Sequence, residues 1–215
     1  MDTPSLARRE RHDLCDLALV VGEDAPTLCE GWQAKELICH LLVRETRPLG
    51  AAGLVVPGLA RLTDRSMARM ARHEYAVLVE RLRDPGLTPY ALPPVERLAN
   101  TAEFFVHHED LRRGQSGWEP RTLDAADERR LWAIARMMGR MQVRRAGVAV
   151  RIVDPGGPGR PGSAADLGGK GERVTVAGAP SELVLFLFGR DQLHGLEFEG
   201  SEGAVATLKG ASLGF

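Results

Sequence analysis

The chain has 215 residues, of which 44% are hydrophobic and 27% charged, a composition typical of globular proteins with a buried core. Lysine and arginine number 28 against 29 aspartate and glutamate residues, so the net charge is close to zero. Non-specific nucleic-acid binding needs a basic excess or a concentrated basic face. The composition therefore argues against nucleic acid as a partner.

The sequence has no pattern typical of a secretory signal or of a membrane span. Residues 1–11 are charged and lack the apolar stretch of a secretory signal. The longest apolar run, Leu183–Phe188, is too short to cross a bilayer. The three cysteines, Cys15, Cys29 and Cys39, form no CxxC pair. We therefore predict a cytoplasmic protein with reduced thiols and no membrane partner.

Residues 4–145 have apolar residues at the spacing that is typical of helices. The predicted helices are Ser5–Val21, Gln33–Arg47, Leu59–Leu82 with a break near Arg72–His73, Val95–Arg113, and Leu123–Arg145 with Asp124 or Thr122 as its cap. Three prolines predict a loop at Leu87–Pro94.

The pattern changes after Gly147. The predicted elements are strands at Val148–Val153, Arg173–Val176 and Leu196–Glu199, a short buried helix at Pro180–Gly189 and a final helix at Ser201–Lys209. Residues 154–171 are rich in glycine and proline and are predicted to form an exposed loop. The predicted fold is mixed, with a helical bundle at residues 1–146 and a small α+β domain at residues 147–215.

The fourth predicted helix contains the residues with the clearest chemical signal. Glu103 and His107 are four positions apart and lie one turn apart on one face, and Asp110 falls on the same stripe. Apolar residues flank the stripe, where a carboxylate or imidazole is costly unless it is paired or binds a metal. One oxygen and one nitrogen ligand suit zinc or another first-row divalent ion. The same spacing is also typical of an ordinary ion pair on a helix surface.

His40, in the second predicted helix, is the candidate for a third ligand. Charged residues share its helical face, so periodicity leaves open whether it points inward or to solvent. Two ligands from one helix and one from another would leave open coordination positions, as in catalytic metal sites. His108 and Glu109 point away from the stripe of Glu103 and are predicted to be exposed.

Three segments resemble one known family in the expected order along the chain. They are LCEGWQAKELICHL at residues 28–41, EFFVHHED at 103–110 and GAPSELVLFLFGR at 178–190. The first two resemble the DinB-like metal-binding bundles, most closely the actinobacterial branch that includes mycothiol-dependent maleylpyruvate isomerase. The third resembles the C-terminal domain of that branch, which is loosely similar to sterol carrier proteins.

The resemblance implies that His40, Glu103 and His107 hold a divalent metal, usually zinc, with water completing the sphere. It also implies mycothiol, the low-molecular-weight thiol of actinobacteria, as a cofactor. A metal-bound thiol loses its proton near neutral pH and becomes a nucleophile. Arg190 matches an arginine that often follows the family's C-terminal helix and would face a carboxylate of the thiol or the substrate. It could equally be a cation that caps the helix.

Two functions of different classes fit these residues. The first is a metal- and mycothiol-dependent transferase or isomerase that acts on a small electrophile, with Asp110 orienting His107. The second is a non-enzymatic metal sensor or carrier. A fourth protein ligand, such as Glu45 or His108, would favour the second function, and an open position would favour the first. A third function, lipid binding, would need a deep apolar pocket in the C-terminal domain.

Overall fold

The computed structural model describes residues 4–46, 60–84, 86 and 99–214. The chain divides into two compact units, Met1–Glu119 and Pro120–Phe215. The predicted loop at Leu87–Pro94 and the first residues of the predicted helix Val95–Arg113 lie outside the described residues. None of the described helices is both long and apolar enough to cross a bilayer.

Five described helices form the first unit. They are α1 (Leu6–Val21), α2 (Ala34–Thr46), α3 (Ala60–Met70), α4 (Tyr75–Arg83) and α5 (Thr101–Arg113). The hydroxyl of Ser5 caps α1 by accepting a hydrogen bond from the backbone N–H of Arg8. The predicted break near Arg72–His73 is confirmed, because α3 and α4 are separated there.

The core of the first unit lies where α1 packs on α5 and α4, and where α2 packs on α3 and α4. Its fully buried side chains include Leu14, Leu37 and Phe104. Cys15 and Cys39 lie in the same core. Burial raises the pKa of Cys15 to about 12 and that of Cys39 to about 11, so both thiols stay protonated near neutral pH.

The second unit combines helices with a four-stranded sheet. Its elements are α6 (Ala125–Gln142), a 3-10 turn (Val143–Arg145), β1 (Ala149–Asp154), β2 (Ser163–Gly168), β3 (Arg173–Ala177), α7 (Pro180–Leu187), β4 (Glu197–Glu199) and α8 (Glu202–Lys209). The strand order is β2-β1-β3-β4, with β1 and β3 parallel and the outer pairs antiparallel. Asp124 caps α6 by accepting hydrogen bonds from two backbone N–H groups, which confirms one of the two predicted caps.

Two features of the second unit differ from the sequence-based expectation. Strand β2 lies inside the stretch 154–171 that was expected to be a loop, because its sequence SAADLG buries only Leu167 and so lacks the alternation that predicts strands. The compact unit also begins at Pro120, whereas the predicted boundary was residue 146. Helix α6 packs on α7, and Gly139 lets it approach Leu167 and Leu187 closely.

Candidate metal site

The three predicted ligands come together in the first unit. Helix α2 carries His40, and α5 carries Glu103 and His107. The rings of His40 and His107 meet edge to face, with centroids 5.1 Å apart, and Trp32 covers His40 at 4.9 Å. His40 is 9% exposed, so it points into the bundle rather than to solvent. Resemblance to the family implied this orientation, whereas periodicity had left it open.

The donor atoms have a spacing that suits a metal ion. The Nε2 atoms of His40 and His107 lie 3.9 and 3.4 Å from Oε2 of Glu103. Ligands of a tetrahedral zinc ion lie about 3.4 Å from one another, given bonds of about 2.1 Å. Two imidazole nitrogens and one carboxylate oxygen are also a preferred donor set for zinc. The residues therefore fit a divalent cation by chemistry and by spacing.

The accessibility of the site is uneven. The imidazole of His107 is 10% exposed, whereas the Glu103 side chain is 27% exposed and forms the open side. Nε of Arg44 lies 3.5 Å from Oε1 of Glu103, the oxygen that does not face the imidazoles. Glu103 is therefore the most accessible of the three candidate ligands, and its two carboxylate oxygens face different partners.

Burial and pairing set the charges of the ligands. Burial opposes ionisation of Glu103, but hydrogen bonds with His107 and His40 and the charge of Arg44 outweigh it, so its pKa lies well below the usual value. Burial lowers the pKa of His40, which favours the neutral, ligating form of that imidazole. Glu103 is thus ionised and His40 neutral, whereas burial of His107 is outweighed by hydrogen bonds with Asp110, Cys29 and Glu103, which raise its pKa well above the usual value.

The other nitrogen of His107 faces a second group of polar side chains. Nδ1 lies 2.9 Å from Oδ2 of Asp110, and the thiol of Cys29 donates to the same oxygen at 3.2 Å. These three residues could also be considered as metal ligands, but 2.9 Å is shorter than the separation of two zinc ligands and is typical of a hydrogen bond. Nδ1–H therefore donates to Asp110, which leaves Nε2 free for a cation.

Cys29 was not predicted to belong to the site. It follows Leu28, whose backbone N–H donates to the carbonyl of Asp110 at 3.1 Å and ties this loop to α5. No local pattern indicates this contact, because Cys29 and Asp110 are 81 positions apart in the chain. The only signal was that Cys29 lies within the family-like segment around residues 28–41.

A chain of buried polar contacts supports Arg44. Its Nη1 donates to Asn100 at 2.9 Å, and the amide of Asn100 donates to Glu45 at 3.4 Å. Glu45 in turn accepts two hydrogen bonds from Arg11 of α1, at 2.8 and 2.5 Å. The site is thus braced from three helices, and Glu45 is engaged away from the imidazoles.

The predicted exposure of His108 and Glu109 is wrong, since they are only 5% and 1% exposed. Nδ1 of His108 lies 2.8 Å from Glu10, and Glu109 accepts hydrogen bonds from Arg112 and Arg113. The reason is that α5 is covered on nearly all sides, so the face opposite the imidazole site packs on α1.

The chain was also compared with known proteins. No protein-family model matches it, and no curated protein matches it. It does match the crystal structure of the mycothiol-dependent maleylpyruvate isomerase, at 18% identity over 90% of each chain with a TM-score of 0.57. A histidine-to-alanine mutant of that isomerase matches at 17% identity, with the same coverage and TM-score.

The chain has the fold of the mycothiol-dependent maleylpyruvate isomerase. The relationship predicted from three short segments is thereby confirmed at the level of fold. An identity of 18% supports the shared architecture alone, so the reaction and the cofactor of the isomerase are not transferred by this likeness.

Arg190, the fourth predicted site residue, belongs to the second unit of this isomerase-like fold. It follows α7, and its backbone N–H donates to the carbonyl of Leu185 at 3.0 Å. Its Nη1 donates to the carbonyl of Phe188 at 2.5 Å, as a capping cation would. The residue is half-buried and lines a pocket within the second unit, so its geometry is compatible with both predicted roles.

Proposed function

We propose that this protein is a metal- and thiol-dependent enzyme, a transferase or isomerase that acts on a small electrophile. The observation that carries the proposal is the convergence of two imidazole nitrogens and one carboxylate oxygen on a partly accessible point of the bundle. We propose zinc as the ion and mycothiol as the thiol. The fold shared with an isomerase whose name states its dependence on mycothiol supports this choice.

In this proposal His40, Glu103 and His107 hold the ion. When bound, the metal would supply Lewis acidity that favours the thiolate form of a thiol. Asp110 accepts the Nδ1 proton of His107 and thereby fixes the tautomer that exposes Nε2. Arg44 restrains the second oxygen of Glu103 and offsets part of its charge.

A non-enzymatic sensor or carrier is the competing function. A purely structural ion is normally enclosed by four protein ligands. Glu45 and His108, the residues that could have supplied a fourth, are bound to Arg11 and Glu10 instead. Within the described parts of the chain, the histidine–carboxylate group contains three residues. This observation supports an exchangeable position, and with it the enzyme.

Further assignments belong to the same proposal. The first unit would correspond to a DinB-like bundle, and the second would be related to sterol carrier proteins. Arg190 would contribute to catalysis by contacting a carboxylate of the thiol or the substrate. The protein would work in the cytoplasm of an actinobacterium, where mycothiol is the low-molecular-weight thiol.

Elemental analysis of the purified protein, followed by calorimetric titration with mycothiol, tests the proposal. We expect one zinc ion per chain and thiol binding that disappears in His107→Ala together with the metal. His73→Ala is the matched control, because His73 is an exposed histidine of the same unit. Metal without thiol binding at millimolar mycothiol would favour the carrier. A metal-free protein that cannot be reconstituted would exclude both functions.

A further inference from the structure

The second unit contains a pocket of about 380 Å³, and none of the three candidate metal ligands lines it. It lies between the end of α7, the strand β4 and the end of α8. The large apolar side chains that line it are those of Phe186, Leu193, Leu196, Phe198, Leu208 and Leu213. Small-molecule sites are typically apolar concavities of several hundred Å³ with a few polar groups that orient the ligand.

The charged groups of this pocket are two cations and one acid, Arg190, Lys209 and Asp191. Their formal sum, two minus one, leaves one positive charge. The ammonium of Lys209 lies 4.3 Å from the ring centroid of Phe198, and Phe198 meets Phe186 edge to face at 5.3 Å. An aromatic face thus holds the ammonium beside the apolar lining.

Lys209 lies in the last turn of α8 and Arg190 shortly follows that of α7, so both could simply interact with the free carbonyl groups of a helix end. Interaction with a free carbonyl group explains the position of Arg190, which donates to the carbonyl of Phe188. Such an interaction does not explain the position of Lys209 equally well. The described contact of Lys209 is the ring of Phe198, and Lys209 has no ion pair with any described residue. Lys209 is therefore the group whose placement points to a ligand.

We propose that this pocket binds a small monocarboxylate with an aromatic or branched apolar body. The body would pack on Phe186, Phe198 and the leucines, and the carboxylate would pair with Lys209, with Arg190 as a second donor. The single net positive charge of the lining matches a monoanion better than a phosphate ester. The pocket is lined by residues of the second unit alone, and Lys209 rather than Arg190 carries the proposal. The proposal therefore goes beyond the metal- and thiol-dependent function and stands whether or not Arg190 also serves that function.

Calorimetric titration of the full chain with benzoate and with benzamide tests this inference. The two probes share an aromatic body and differ in charge. We expect benzoate to bind about tenfold more tightly than benzamide, because the carboxylate gains a charge-assisted contact. In Lys209→Met the preference for benzoate should fall to about twofold or less, while benzamide binding should be retained.

Lys170→Met is the matched control, because Lys170 is an exposed lysine of the same unit and does not line the pocket. It should bind both probes as the parent chain does. A second variant, Leu196→Asp, places a charge in the apolar lining and should abolish binding of both probes, with circular dichroism verifying the fold. Equal affinity for the two probes, unchanged selectivity in Lys209→Met, or no binding at millimolar concentrations would overturn the proposal.

Discussion

Replacement of Asp110 by asparagine isolates the contribution of the carboxylate that orients His107. Asp110 is fully buried and accepts hydrogen bonds from Nδ1 of His107 at 2.9 Å and from the thiol of Cys29 at 3.2 Å. An amide has nearly the same shape, but it lacks the charge that raises the basicity of the imidazole. Loss of such a partner typically weakens metal binding by about 10- to 100-fold, or about 1.4–2.7 kcal/mol.

The assay is competition for zinc between the protein and a chromogenic chelator. The chain offers a close control in Glu10→Gln, since Glu10 contacts His108 at 2.8 Å, almost the same distance as in the Asp110–His107 pair. Both pairs are buried and both use an imidazole of α5, but only one faces the candidate site. If Asp110→Asn retained zinc within about twofold of the parent, or if Glu10→Gln lost as much affinity, the orienting role would be refuted.

Three further predictions concern reactivity and stability. In the folded protein, iodoacetamide at mildly alkaline pH should modify Cys29 alone, since the other two thiols are buried and have raised pKa values; mass spectrometry should find three modified thiols only after unfolding. Burial raises the pKa of Glu128 above its ordinary value of 4.5, so the folded state binds this proton more tightly than the unfolded state. The free energy of unfolding should therefore fall as the pH rises from about 4.5 through the raised pKa. In urea titrations, Glu128→Gln should reduce that loss of stability. Gly114→Ala should destabilise the first unit by about 1–3 kcal/mol, because a Cβ there would lie 2.4 Å from the carbonyl oxygen of Pro26. By contrast, the Cβ of Gly203→Ala in α8 would meet nothing within 4 Å and should stabilise that helix by up to about 1 kcal/mol. Equal effects of the two substitutions on urea unfolding would contradict this difference.

Much of the helical architecture could be predicted from the sequence, because apolar periodicity and caps are local properties. The helix at Leu6–Val21, the separation near residue 72 and the cap at Asp124 are of this kind. Strand β2 could not be predicted in this way, since it exists through its pairing with β1 and buries a single side chain. The position of α6 depends equally on a partner, α7, that lies far along the chain.

In the candidate site, too, local sequence patterns predict only what lies on one helix. Glu103 and His107 could be paired from their spacing, since both lie on one helix. The sequence of α2 does not show whether His40 points inward, because charged residues share its helical face. Its buried orientation depends on contacts with Trp32 and with His107 of α5. Arg44, Asn100 and Cys29 join the site through long-range contacts, and local patterns contain no information on these.

The polar brace from Arg11 through Glu45 and Asn100 to Arg44 has a consequence for how the ion would exchange. In small zinc domains the metal organises its own ligands, so removal of the metal and unfolding are one event. Here the backbone that carries the ligands is held by an apolar core and by hydrogen bonds that involve no ion. Removal of the metal by a chelator should therefore leave the protein folded. The folded metal-free protein should then be able to bind the metal again.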